Sequence, residues 1–222
     1  MSSFLLIDTA LQTASVALSN DSEVIAFRQN EQPYDHAAWL HPAIQSLFSE
    51  TGLNPTQLDA VGVTAGPGSY TGLRVGMAAA KGFCFAQQIP LITVSTLQLL
   101  AAGAQEEAEE VIIALIDARR DEVYAGVFDR NLHPLVPEQA MILGPESFQQ
   151  WREKNQVLFT GDGAQKIERL MGIEQFSVAP SKHLIKKLTE ISYKKWAAAE
   201  FADLAYHEPA YLKEFYISPK VN

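Results

Sequence analysis

Leu6-Ile7-Asp8 near the start of the chain and Leu115-Ile116-Asp117 past its midpoint decide the fold. Set side by side, Phe4 to Asn20 and Ile113 to Asp129 have the same order: an apolar run ending in an aspartate, a short polar turn, and a second apolar run at the same offset. Each copy reads as a hairpin carrying one carboxylate, which is the pattern of a duplicated α/β protein. Two hairpins matching by chance is the competing explanation.

Working outward from the first copy, Phe4 to Ile7, Ser15 to Ser19 and Val24 to Arg28 are predicted as successive strands. From His36 to Glu50, apolar Trp39, Leu40, Ala43, Ile44, Leu47 and Phe48 recur at helical spacing, with Asp35 at the N-cap, Gly52 as a stop and Pro42 expected to kink the helix. Leu58 to Thr64 reads as a strand, Leu73 to Gln87 as a helix, Ile89 to Thr93 as a strand and Ser95 to Ala108 as a helix. The acidic run Glu106, Glu107, Glu109 and Glu110 then marks a boundary, dividing the chain into residues 1–108 and 109–222. In the second half, Val157 to Phe159 precedes Gly161-Asp162-Gly163, and His183 to Ala205 has helical periodicity.

The strongest local signal is Gly66-Pro67-Gly68-Ser69-Tyr70-Thr71-Gly72-Leu73-Arg74-Val75-Gly76, a glycine-rich link from strand to helix. Such a link can present backbone amides to an anion. It lacks the Gly-Lys-Ser/Thr of a P-loop, and its glycines miss the dinucleotide spacing by one residue. Glycine serves tight helix packing equally well, so both roles stay open at this point. Arg74, near the helix start where the dipole disfavours a cation, calls for an acidic partner on another element or chain; otherwise it is solvated.

Composition excludes several classes. With 47% apolar and 19% charged residues the chain has the make-up of an ordinary globular protein. A formal net charge of −9 opposes a free-standing phosphate-backbone site, and the lysines at 182, 186, 187, 194 and 195, interrupted by Glu190, read first as a solvated face. A single cysteine, Cys84, rules out an intramolecular disulfide, and its apolar neighbours make it a buried hydrophobe. No leader or membrane-spanning run is legible, which points to a cytoplasmic protein with no membrane partner. His36 and His41, five apart, project roughly 140° apart on a helix, so no metal pair is expected there.

The glycine-rich stretch resembles the signature of the TsaB family, bacterial subunits for threonylcarbamoyladenosine biosynthesis in tRNA. The likeness extends to Phe4-Leu5-Leu6-Ile7-Asp8-Thr9, to Asp117-Ala118-Arg119-Arg120-Asp121-Glu122-Val123-Tyr124 and to Pro209-Ala210-Tyr211-Leu212-Lys213. It implies the ASKHA (actin/Hsp70-like) fold: two related α/β lobes with mixed sheets, in which the last helix packs back on the first lobe. It also implies a non-catalytic paralogue of the TsaD-type catalytic subunit, without its metal site, in an assembly that includes a TsaE-type P-loop ATPase, with tRNA contact indirect.

On that reading no residue is catalytic and no cofactor is required. The helices around 36 to 48 and 71 to 86 form the partner surface: Leu40, Ile44 and Leu47 supply apolar area, Gly76, Ala78, Ala79, Ala80 and Gly82 allow close approach, and Arg74 meets a partner group. The same surface predicts a homodimer in isolation. Asp8, Gly66, Gly68, Ser69, Thr71 and Gly72 are candidates for weak nucleotide contact, while Asp8 and Asp117 are expected to cap their own turns. The alternative is an ASKHA-type nucleotide phosphotransferase with Asp8 as base, Gly68 to Thr71 as phosphate cradle and magnesium as cofactor. A directly tRNA-binding module is the third class, resting on the lysines alone.

Overall fold

The computed structural model describes residues 1–30, 32, 35–153, 157–172, 176–177 and 181–213. The first five strands are β1 (Ser3–Asp8), β2 (Ser15–Asn20), β3 (Glu23–Gln29), β4 (Ala60–Thr64) and β5 (Leu91–Val94). They form one mixed sheet in the order β3-β2-β1-β4-β5. Strands β6 (Val111–Asp117), β7 (Glu122–Asp129), β8 (Pro134–Ile142), β9 (Val157–Thr160) and β10 (Phe176–Ser177) form a second, in the order β10-β9-β6-β7-β8.

The second order is the first with every strand replaced by the one five places later. Pairing follows suit: β1 is antiparallel to β2 and parallel to β4, and β6 is antiparallel to β7 and parallel to β9. Leu6 and Leu115, Ile7 and Ile116, and Asp8 and Asp117 therefore hold equivalent places. Helices α1 (His36–Thr51), α2 (Tyr70–Gln87) and α3 (Thr96–Ala104) recur as α4 (Gln149–Arg152), α5 (Ala164–Met171) and α6 (Ser181–Ala197). The duplication read from two hairpins thus runs through all ten strands and six helices described.

Three cores explain the continuous apolar strands. In β1, Leu5 and Ile7 face α1 and α2, while Phe4 and Leu6 face the opposite side. In β6, Ile112, Ala114 and Ile116 join Phe4 and Leu6 in one shared core, and Ile113 and Leu115 face the outer layer of the second lobe. A strand buried on both faces loses the apolar/polar alternation of a half-exposed one. The shared core contains α3 and α6, which are exchanged: α3 packs on β6 and β7, and α6 packs on all five strands of the first sheet. Phe4 is held there edge-on by Tyr193 and Trp196, with ring centroids 6.2 and 5.7 Å away.

Local chemistry sets the boundaries. Ser69 caps α2 by accepting from the Gly72 amide at 3.2 Å, so the helix starts at Tyr70 rather than Leu73. Gly52 closes α1 at φ +71°, and the helix is continuous through Pro42. Asp35 occupies the N-cap position without a side-chain cap bond. Ser95 caps α3, which ends at Ala104.

Candidate functional site

A cleft of about 1000 Å³ opens between the lobes. Its first-lobe wall is Ala10, Leu11, Gln12 and Gly68 to Thr71; its second-lobe wall is Ile116 to Arg119, Tyr124, Asp162 and Gln165. The two hairpin turns therefore face each other, and the glycine-rich turn lines one side.

Asp8 does not reach this cleft as a free carboxylate. It is 3% exposed, and its Oδ1 accepts from the Thr64 hydroxyl at 2.9 Å and the Ala10 amide at 3.2 Å. Burial pushes its pKa up, a rise that those two bonds and the nearby His36 oppose. The predicted turn-capping role is what the geometry shows. Asp117 does the same in the second lobe: its Oδ1 accepts from the Arg119 amide at 2.6 Å and from Lys166 Nζ at 2.8 Å. Burial raises its pKa, but the Lys166 hydrogen bond and charge outweigh that and leave it lowered. Lys166 also donates to the Glu122 carbonyl at 2.8 Å, clamping both ends of the turn.

The glycines of residues 66–76 are required by close packing. A Cβ at Gly68 would lie 2.3 Å from the Ala10 carbonyl, at Gly72 2.1 Å from the Thr9 carbonyl, and at Gly76 2.2 Å from Thr9 Oγ1. Thr9 Oγ1 donates to the Gly72 carbonyl at 2.7 Å, and the Ser69 amide donates to Ala10 at 2.7 Å. The Ser69, Gly72 and Leu73 amides are thereby engaged within the protein. Of the six candidate nucleotide contacts, Gly68, Ser69 and Thr71 line the cleft, whereas Asp8, Gly66 and Gly72 are buried beneath it.

Gly161-Asp162-Gly163 is the counterpart of this turn in the second lobe, and the signal for it in the sequence is a glycine-rich step directly after the apolar run 157–159. Gly161 has φ +89° where Gly66 has φ +104°, and the Gly163 amide bonds the Leu115 carbonyl at 3.0 Å. Asp162 accepts from the Asp117 amide at 2.9 Å, and burial raises its pKa, with Asp117 adding to the rise.

The partner surface expected on α1 is corrected. Leu40, Ile44 and Leu47 are 0%, 2% and 0% exposed and belong to the core with Leu5, Ile7, Val16 and Leu18. The helix's apolar stripe is used by its own sheet, and the face it leaves open carries Ala37, Ala38, His41, Pro42 and Gln45. On α2, Gly76, Ala79 and Ala80 are likewise buried, while Arg74, Ala78 and Gly82 form an exposed stripe that continues to Phe85, 79% exposed.

Arg74 finds aromatic partners in place of the expected acid: its guanidinium lies 4.0 Å from the Tyr70 ring centroid, and Nε donates to the Tyr211 hydroxyl at 3.2 Å. Of the lysines, Lys187 and Lys195 turn inward, to Glu106 and Glu190 and to the Thr93 carbonyl; the side chain of Lys182 lies outside the described residues. Buried Cys84 has its thiol pushed up to about 12. His36 is buried with Nε2 2.9 Å from the Leu11 carbonyl, and among the described residues no three His, Cys, Asp or Glu gather as metal ligands. No helix among them is long and apolar enough to cross a membrane.

The family profile described as TsaD, tRNA N6-adenosine threonylcarbamoyltransferase, matches residues 30–216. The tRNA threonylcarbamoyladenosine biosynthesis protein TsaB of Bacillus subtilis is 33% identical over 187 residues, 81% of each chain. A Pseudomonas aeruginosa crystal structure, described as an uncharacterized protein with similarity to peptidase YEAZ, aligns at TM-score 0.81 and 29% identity over 96% of this chain and 100% of that one. The ROK hexokinase of Thermus thermophilus aligns at TM-score 0.50 and 12% identity over 88% and 99% of the two chains, a likeness of fold alone that agrees with the ASKHA architecture.

Proposed function

The chain belongs to the TsaB family and takes part in tRNA threonylcarbamoyladenosine biosynthesis, and we propose that its role there is that of a non-catalytic scaffold binding and supporting a TsaD-type catalytic subunit. The observation that carries this reading is the internal use of both hairpin carboxylates. Asp8 is buried under two hydrogen bonds, and Asp117 is held by Lys166, so neither is poised as a general base toward a ligand in the cleft. Three of the turn amides that a phosphate would need, those of Ser69, Gly72 and Leu73, are spent on Ala10 and Ser69.

The scaffold surface is the exposed stripe of α2, with Arg74, Ala78 and Gly82 in contact and the open face of α1 beside it. Small side chains there let a partner helix approach closely, and a second copy of the chain takes the same place in a homodimer when the partner is missing. A TsaE-type P-loop ATPase completes the assembly, tRNA contact is indirect, and the setting is cytoplasmic. The chain needs no cofactor of its own, with at most weak nucleotide contact at Gly68, Ser69 and Thr71.

The size of the cleft keeps a nucleotide phosphotransferase as the second reading. Reconstitution with the catalytic subunit, the ATPase and tRNA separates the two, with modified nucleoside measured by mass spectrometry. Asp8→Asn should modify tRNA as fast as the wild type, and the pure protein should not sustain ATP hydrolysis. Loss of modification by a folded Asp8→Asn variant, or steady turnover by the protein alone, would establish the enzyme reading instead.

A further inference from the structure

After α6, which packs on the first sheet, the chain continues along the edge of that sheet. The Ala202 amide bonds the Leu91 carbonyl at 2.9 Å on the edge of β5, and the Ala210 amide bonds Ala65 at 2.7 Å at the end of β4. Gly66 leaves room for this passage, since a Cβ there would lie 2.9 Å from the Ala210 carbonyl. Tyr211 then packs on Tyr70, centroids 5.5 Å apart, and accepts from Arg74. Leu212 packs against the core shared by both sheets, and Lys213 pairs with Glu122 at the start of β7.

We propose that residues 209–213 are a latch between the lobes, with Tyr211 gripping the first lobe through Arg74 and Tyr70 and Lys213 gripping the second through Glu122. The latch sits beside the cleft, because Tyr70 lines it and Glu122 lies between Arg119 and Tyr124, which line its far wall. Its first-lobe end is also part of the partner stripe on α2. A partner carboxylate or carbonyl that takes the Arg74 guanidinium competes with the Tyr211 hydroxyl, frees the strap and loosens the 117–124 turn. This coupling rests on the scaffold reading; the latch itself does not.

Hydrogen exchange on the full chain tests both parts. In the free protein, Lys213→Glu and Tyr211→Ala should each speed exchange of residues 118–124 about fivefold while the amides of β1 and β4 stay protected. The swap Lys213→Glu with Glu122→Lys should restore protection, which a merely structural role for Lys213 does not predict. Unchanged exchange at 118–124, or an equal rise throughout β1 and β4, overturns the latch. On adding the catalytic subunit, the Ala210 amide should exchange faster. Continued protection of Ala210 in a complex that does form overturns the coupling, whereas failure to form any complex overturns the scaffold reading and leaves the free-protein result standing.

Discussion

Gly72→Ala and Gly82→Ala place the same methyl group in the same helix with opposite results. At Gly72 the new Cβ lies 2.1 Å from the Thr9 carbonyl, more than an ångström inside ordinary contact, and the atom it meets is backbone. Relief requires α2 to move off the 9–10 turn, which also strains the bond from Thr9 Oγ1 to the Gly72 carbonyl. Overpacking and the weakened bond together cost about 3 kcal/mol, well above the ~1 kcal/mol that alanine's helix propensity returns. At Gly82 nothing of the same chain lies within 4 Å, so in protein diluted to the monomer only the propensity gain remains, about 0.5–1 kcal/mol. In thermal melts, the net loss of about 2 kcal/mol should place the Gly72 variant about 4–8 °C lower and the Gly82 variant about 1–4 °C higher, with urea m-values unchanged. A Gly72→Ala protein as stable as the wild type would refute the claim that this glycine-rich turn is shaped by helix packing.

Asp8→Asn keeps an oxygen acceptor for Thr64 and Ala10 and removes a buried charge. Because burial raises the native pKa of Asp8 above 3.8, its contribution to stability is greatest at acid pH and falls as pH rises through the native pKa. The variant should therefore equal or exceed the wild type in urea stability at pH 7, with the advantage shrinking toward pH 4; a loss above about 2 kcal/mol at pH 7 contradicts this. Lys166→Met should cost about 1–2 kcal/mol at pH 7, through the lost bonds to Asp117 and the Glu122 carbonyl, a modest figure because Asp117 is partly exposed. Since the native pKa of Asp117 is lowered, that gap should narrow as pH falls below the ordinary carboxylate range, and a gap constant with pH would deny the ion pair. Affinity for tRNA, measured for the protein alone, should be weak and should not improve when Glu190 is replaced by Gln, because Lys187 and Lys195 face inward.

The first hairpin and its copy were legible because β1 and β6 are buried on both faces, which leaves an unbroken apolar run ending in aspartate. Later elements of the second lobe were not: β8 is an edge strand with largely exposed residues, α4 has four residues, and β10 has two. Amphipathicity identified α1 but does not state what covers its apolar stripe, and Leu40, Ile44 and Leu47 turned out to cover the sheet of their own lobe. The glycine-rich turn is evident in the sequence and its role is not, because packing and anion binding ask for the same residue type. Arg74 and Tyr211 lie 137 residues apart, and no local pattern joins them.

The exposed stripe of α2 is proposed as the surface on which a TsaD-type subunit binds. Sedimentation velocity of the wild type and of Ala78→Glu, each alone and with the catalytic subunit, tests it directly. The wild type should sediment as a homodimer alone and as a one-to-one complex when mixed, and the variant, its fold checked by an unchanged circular dichroism spectrum, as a monomer in both. A folded Ala78→Glu protein that still forms both the homodimer and the mixed complex would contradict the account.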